Sequence, residues 1–360
     1  MLFVNPDLYF VLRGGVTTVH SYRDKRIFEL EPAYLERLVS IAHGTASGNA
    51  TAIDEDLIAG NLVSRQPYAA SVWPFGQDAQ IFHLTTKDSN PFVSPEAVES
   101  SWSGYLDWCA EVADNIPHFA EPNVQGDWID LPSSRPDELS ESIFKTLVKR
   151  RTVREFLPME VSLGTVSALL YYSFANLPER GRDLEMGAPF PFDIRRSSPS
   201  GGGLAATDVY VTLQHVNGLA AGTYFYDPRL HRLGLVTGPV EQTFLGGMLG
   251  GHMFAGDVAI GAWLVSRFDK FGTKYPFSRC YRVAMLEAGH LSQTFQLVAT
   301  ALGLGTWLTG AFNDSTVERF LQLDGETAAA ALFVAAGHTT GAICDPATLS
   351  LLENRTKEQM

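Results

Sequence analysis

The second half of the chain alternates apolar segments that predict helices and the strands of one sheet. Leu291, Phe295, Val298 and Leu302 are spaced four, three and four residues apart, which predicts the apolar face of a long helix. A second apolar helix is predicted over residues 163–174. The strands predicted for a mixed sheet are residues 207–213, a hairpin over 223–236 with its turn at Asp227 and Pro228, residues 258–265 and residues 329–336.

The first 70 residues have a different pattern. Short strands are predicted within residues 8–30, followed by a helix from Pro32 to near Gly44 and a second helix capped by Asp54. These element counts favour a winged-helix-like module over residues 1–70. The alternative is an N-terminal extension that packs on the main domain.

The composition of the remaining chain predicts three further regions. Residues 71–138 are predicted to be a helical connecting region with one helix over 95–114, ending in a proline- and serine-containing linker at 131–136. The main domain is predicted over residues 139–348, and residues 349–360 are predicted to be a polar tail.

Composition excludes several classes of protein. Hydrophobic residues make up 45% and charged residues 19% of the 360 positions, which is typical of a globular chain. The net charge of −13, without a basic stripe, argues against a nucleic-acid partner. Three distant cysteines favour free thiols in a reducing compartment. No segment predicts a membrane span or a membrane partner, so a soluble, cytoplasmic protein is expected.

Positive charge is concentrated at the end of one predicted helix, which is capped by Ser140. Arg150, Arg151, Thr152 and Arg154 follow it closely. Guanidinium groups match phosphate oxygens in pairs, and a hydroxyl adds a donor, so these residues predict an anion site. The alternative is a solvated helix end, where cations suit the negative end of the helix dipole.

A glycine-rich segment offers a second candidate site. Pro199, Ser200, Gly201 and Gly202 precede a predicted strand, and glycines beside hydroxyls allow a flat or anionic ligand to approach the backbone closely. The segment lacks the Lys-Ser/Thr ending of a phosphate-binding P-loop. A plain surface loop is the alternative.

Two further pairs of residues are candidates for catalysis or metal binding. Lys274 and Tyr275 are a candidate proton-transfer pair; the alternative is an exposed lysine beside a tyrosine at the edge of the core. Glu287 and His290 stand at i and i+3 on a helix, but a bundle-type metal site needs a second such pair, and none is found. No metal is expected.

Five segments in this order resemble the flavin-dependent nitroreductase superfamily. Within it the chain is similar to the SagB/ThcOx-type, McbC-like branch, the azoline dehydrogenases of modified-peptide pathways. The resemblance covers roughly residues 140–345. The segments are residues 150–154, 198–202, 224–228, 274–275 with 282–290, and 303–305.

The resemblance implies an α+β fold with a mixed sheet flanked by helices, assembled as an intertwined homodimer with FMN at the interface. It also implies three groups of flavin-binding residues. Arg150, Arg151, Thr152 and Arg154 would hold the phosphate, the ribityl chain and the pyrimidine edge; Pro199, Ser200, Gly201 and Gly202 would approach the isoalloxazine from the second subunit; Gly305, Thr306 and Leu308 would line the flavin near its reactive nitrogen.

The same resemblance implies that Lys274 and Tyr275 are catalytic. Oxidising a thiazoline or oxazoline to the azole removes a proton and a hydride, so the protein must supply a base. Burial or a nearby cation such as Arg279 or Arg282 would have to lower the pKa of one of the pair, and the sequence leaves open which residue is the base.

The expected partners are a peptide substrate and a cyclodehydratase or synthetase. Two other functions fit the sequence. One is a nitro- or quinone reductase with a nicotinamide donor, and the other is a flavin-free scaffold that binds peptides.

Overall fold

The computed structural model describes residues 1–46, 48, 52–69, 73–88, 94–134, 139–177 and 195–358. The chain folds into two compact units, Met1–Phe92 and Val93–Met360. The expected boundary at residue 138 and part of the expected linker lie outside the described residues, and the four-part domain division stays a prediction.

The first unit confirms the predicted strands and helices. Its elements are β1 Phe3–Val4, β2 Leu8–Arg13, β3 Val16–Ser21, β4 Arg26–Glu29, α1 Pro32–Ala42, α2 Ala52–Ala59, β5 Val63–Ser64 and α3 Gln77–Thr85. Strands β2, β3 and β4 form an antiparallel sheet, and β1 pairs with β5. The winged-helix interpretation stays a prediction.

One detail of this unit differs from the sequence expectation. Asp54 does not cap α2 but lies inside it, 2% exposed, and accepts hydrogen bonds of 2.7 Å from two nitrogens of the Arg37 guanidinium. A buried carboxylate needs such a partner, so Asp54 forms an ion pair with Arg37 and does not cap the helix.

The second unit contains the larger sheet. Its elements are α4 Val98–Asp114, β6 Gln125–Asp130, α5 Ile143–Lys149, β7 Val161–Ser162, α6 Leu163–Phe174, β8 Thr207–Leu213, β9 Val216–Asn217, β10 Gly222–Asp227, β11 Arg232–Thr237, α7 Gln242–Met248, β12 Ile260–Arg267, α8 Phe268–Lys274, α9 Cys280–Ala301, β13 Gly305–Thr309, α10 Asp314–Leu321, β14 Ala328–Gly337 and α11 Pro346–Glu358. The predicted polar tail is therefore largely helical.

Helix α5 is capped by Ser142, not by Ser140, because the Ser142 hydroxyl accepts a hydrogen bond from the Lys145 amide.

Seven strands form the main sheet in the order β13-β14-β12-β8-β10-β11-β6. The pairs between these strands are antiparallel, and Thr152 adds a parallel bridge to Thr306 at the β13 edge. Among the residues that the structure describes, this bridge is the parallel pairing that makes the sheet mixed. The predicted α+β class is confirmed.

Helices cover both faces of the sheet. Every residue of the central strands β8 and β12 is buried, as expected for strands enclosed on two sides. On one face α6 and α9 pack through Phe174 and Phe295. On the other face the core contains Trp263 and Phe333, with Val317 contributed by α10. None of the helices formed by the described residues is long and apolar enough to cross a bilayer.

Candidate functional site

Lys274 lies at the end of α8 and contacts the glycine-rich loop. Its side chain is buried, with 4% of the residue exposed, and Nζ donates a hydrogen bond of 3.1 Å to the Gly202 carbonyl. The ammonium lies 5.6 Å from the ring centre of Tyr275. The pair predicted for proton transfer is therefore joined to the loop predicted to approach a flat ligand, and the alternative of an exposed lysine is wrong.

The glycines of this loop are required by its surroundings. Gly202 has a φ of 63°, and a Cβ there would come within 2.7 Å of Cε2 of Tyr275. At Gly201 a Cβ would meet Cγ1 of Val283 at 2.6 Å. A side chain at Gly201 would push the loop away from α9, and one at Gly202 would push it away from Tyr275. Pro199, by contrast, is exposed.

A buried carboxylate anchors the loop from α9. Glu287, 2% exposed, accepts hydrogen bonds from the Ser200 hydroxyl at 2.6 Å, the Gly201 amide at 3.3 Å and the Thr207 hydroxyl at 3.0 Å. Three donors satisfy a charge that burial would otherwise destabilise. From the sequence alone, Glu287 was a candidate only for a metal ligand. Its position four residues before Leu291, on the apolar face of the helix, was the signal that it needs buried partners.

Tyr275 is half-buried beside a second tyrosine. Its hydroxyl and that of Tyr105, on α4, are 3.0 Å apart and share a hydrogen bond. Burial raises the pKa of Tyr275, and the hydrogen bond with Tyr105 opposes that rise in part. Of the two alternatives, a lowered pKa at Lys274 or at Tyr275, the one at Tyr275 is therefore wrong.

The arginine segment lies at the opposite end of α9. Arg150 ends α5, and its Nη1 donates to Oε1 of Gln296 at 3.4 Å. The Val153 amide donates to the Thr306 carbonyl at 2.9 Å, and the Thr306 hydroxyl donates to the Arg151 carbonyl at 3.5 Å. This segment therefore runs along β13, with the backbone of Arg151, Thr152 and Val153 beside Thr306.

The three other residues predicted to bind the flavin here, Arg154, Leu308 and Gly305, make different contacts. Nη1 of Arg154 donates to the Ile343 carbonyl at 2.7 Å, which directs that guanidinium to the segment before α11. Leu308 is partly buried and packs against the core shared with α6 and α9. Gly305 is close-packed, since a Cβ there would lie 3.0 Å from Cγ2 of Val153.

Two clusters of candidate residues therefore contact the same helix, α9. The lysine cluster comprises Lys274, Tyr275 and residues 199–202, anchored at Glu287. The arginine cluster comprises residues 150–152 and 305–306, in contact with Gln296. Gln296 is nine positions after Glu287 on α9, which is about 13.5 Å along a helix axis.

The sequence profile of the nitroreductase family matches residues 147–338, just over half of the chain. The chain belongs to the nitroreductase family. This match includes α9, the lysine cluster and the arginine cluster.

Three relatives are similar to this nitroreductase-family chain. MJ1384 of Methanocaldococcus jannaschii, whose name assigns it to the nitroreductases, is 27% identical over 52% of this chain and 88% of its own length. The trifolitoxin-processing protein TfxB of Rhizobium leguminosarum bv. trifolii is 29% identical over 54% of this chain and 52% of its own length. The microcin B17-processing protein McbC of Escherichia coli is 29% identical over 47% of this chain and 60% of its own length. The chain thus matches about half of each processing protein.

Proposed function

We propose that this chain is an FMN-dependent dehydrogenase that oxidises thiazoline or oxazoline rings of a peptide natural-product precursor to thiazoles or oxazoles. Its membership of the nitroreductase family supports an oxidoreductase. Two relatives named for processing peptide products support a peptide substrate. The observation that carries the proposal is the contact between Nζ of Lys274 and the Gly202 carbonyl, because it joins a proton-transfer group to a close-approach loop.

The residues present fit FMN. Arg150 and Arg151 with the Thr152 hydroxyl are the donor types that hold a phosphate. The loop at 199–202 has no side chains on its two glycines and is held by Glu287, which suits a flat ring system. Arg154 donates to a backbone carbonyl, so in this proposal it contributes charge to the phosphate region.

Each ring oxidised loses a proton and a hydride. When bound, FMN supplies the two-electron acceptor that this reaction needs. Because burial raises the pKa of Tyr275, its hydroxyl stays protonated at neutral pH and is a poor base. We assign removal of the ring proton to Nζ of Lys274, which must act in its neutral amine form, and a hydrogen-bonding role to Tyr275. Dioxygen is the proposed terminal electron acceptor.

We propose that the protein acts as a homodimer with the flavin between subunits. Support comes from α5, whose large apolar side chains are 55–71% exposed and adjoin Arg150. A contiguous apolar face of this kind is typical of an interaction surface. These side chains are Ile143, Phe144, Leu147 and Val148. A peptide and a cyclodehydratase or synthetase remain the proposed partners.

The test is mass spectrometry of azoline-bearing peptides incubated with the purified protein. We expect a loss of two hydrogen atoms per ring, and Lys274→Ala should keep FMN yet lose this activity, because it lacks the amine. Lys87→Ala, which removes an exposed lysine, is the matched control. Full activity of Lys274→Ala would refute the assignment of the base.

Two other outcomes would replace the proposal. Turnover of quinones or nitroaromatic compounds with a nicotinamide donor, and none with azolines, would identify a conventional reductase of the same family. A protein with no flavin absorbance even after FMN is added would favour a peptide-binding scaffold.

A further inference from the structure

Helix α4 lies against the Lys274–Tyr275 pair, although it precedes the segment matched by the family profile, residues 147–338. Nε1 of Trp108 donates a hydrogen bond of 2.9 Å to the Lys274 carbonyl. The hydroxyl of Tyr105, three residues earlier on the same helix, is 3.0 Å from that of Tyr275. Both members of the pair thus have a hydrogen-bonding partner on α4.

The two tyrosine rings also flank the lysine. Nζ of Lys274 lies 5.6 Å from the ring centre of Tyr105 and 5.6 Å from that of Tyr275. Aromatic faces at this distance attract a cation. The Tyr275 ring is packed against Gly202, where a Cβ would overlap it. A group that fixes Tyr275 therefore also fixes the surroundings of Lys274.

We propose that Tyr105 is a positioning residue, whose hydroxyl donates a hydrogen bond to the Tyr275 hydroxyl and holds that ring between Gly202 and Lys274. The importance of this role for catalysis rests on the function proposed above. The hydrogen bond itself can be measured without any turnover.

With this direction of the hydrogen bond, the contact shifts the pKa values of the two tyrosines in opposite senses. Burial raises the pKa of Tyr105, and its hydrogen bond with Tyr275 raises it further, as expected for the donor. The same bond lowers the pKa of Tyr275 against the effect of burial. The other ionisable groups facing Tyr275 are Lys274, Cys109 of α4 and Cys280 of α9, and the two cysteines raise its pKa.

Removing the Tyr105 hydroxyl should therefore raise the pKa of Tyr275. A hydrogen bond to an ionised oxygen stabilises it, so the phenolate becomes less favourable when the donor is lost. We expect a shift of about one pH unit, a tenfold change in the ionisation constant that corresponds to about 1.4 kcal/mol. The variant Tyr105→Phe keeps the ring beside Lys274 and removes only the oxygen.

The experiment incorporates difluorotyrosine at position 275 and follows its ¹⁹F resonance against pH. The electron-withdrawing fluorines lower the pKa of the phenol, which brings its titration into a range where the protein is folded. Tyr105→Phe should shift the titration to higher pH. Leu106→Ala, at a 63% exposed neighbour on α4, should leave it unchanged. An identical titration in Tyr105→Phe and the parent protein would overturn the proposal.

A second readout addresses the role in catalysis. In Tyr105→Phe, the limb of the pH profile of kcat/KM that depends on Tyr275 should move to higher pH. The amount of bound flavin should equal that of the parent protein. If the ¹⁹F titration shifts but no azoline is oxidised by any variant, the proposed function fails and the positioning contact stands. If azolines are oxidised and neither the titration nor the limb moves, the positioning role is wrong.

Discussion

Replacing Glu287 by alanine tests the anchor of the glycine-rich loop. The change removes the acceptor of three hydrogen bonds, from Ser200, Gly201 and Thr207, inside a buried site. At about 1.5 kcal/mol for each bond to a charged group, the expected loss in free energy of unfolding is about 4 to 5 kcal/mol. This agrees with the about 3–5 kcal/mol typical of removing one partner from a buried charged group.

The same change should affect the buried Arg196. Glu287 and Asp208 both favour the charged form of that guanidinium, against the desolvation that lowers its pKa. Without Glu287 part of this compensation is lost. Glu287→Gln keeps the shape and one carbonyl acceptor for Ser200 and Gly201, so we expect it to cost about 1–2 kcal/mol only.

The assay is urea denaturation followed by tryptophan fluorescence, since every tryptophan except Trp73 lies in the second unit. FMN binding is measured by titration on the same samples. Glu287→Ala should be destabilised and bind FMN more weakly, with Glu287→Gln intermediate. Glu353→Ala, at an exposed position of α11 in the same unit, should change stability by less than about 0.5 kcal/mol. A loss below about 1 kcal/mol with full flavin binding in Glu287→Ala would refute the anchoring role.

Two further variants address the proposed flavin contacts. Arg150→Ala should weaken FMN binding about 10- to 100-fold, because a charged hydrogen bond to the phosphate is lost, and should leave riboflavin binding unchanged. Equal losses of affinity for both flavins in fluorescence titrations would contradict the phosphate assignment. Gly202→Ala should destabilise the loop and reduce flavin content, because of the positive φ and the overlap with Tyr275. Gly104→Ala, in an open position on α4, should not, and flavin absorbance after purification distinguishes the two.

The local elements of the main domain were predictable from sequence. Helix α6 has the predicted bounds, Leu163–Phe174, and the predicted hairpin appears as β10 and β11. Periodic spacing determines which side of an element is apolar, and that is local information. The structure also shows that Gly201 and Gly202 have no room for a Cβ beside Val283 and Tyr275, and that Gly202 has a positive φ. The predicted approach of a ligand to these glycines stays a prediction.

Contacts between distant residues were not predictable in the same way. Glu287 binds a serine 87 positions earlier, and Tyr105 meets a tyrosine 170 positions later. Such pairs depend on how helices cross the sheet, and no local spacing encodes this. Periodicity also could not show that the apolar residues of α5 would be exposed, since a core face and an interface have the same pattern.

Helix α9 limits how the chain length can vary. Glu287 contacts the glycine-rich loop and Gln296 contacts Arg150, and only continuous helix lies between them. One inserted residue would rotate one anchor by about 100° relative to the other and lengthen the helix by about 1.5 Å. Both contacts could not then be kept. Insertions and deletions compatible with this site therefore lie outside residues 287–296, and this part of α9 acts as a spacer of fixed length.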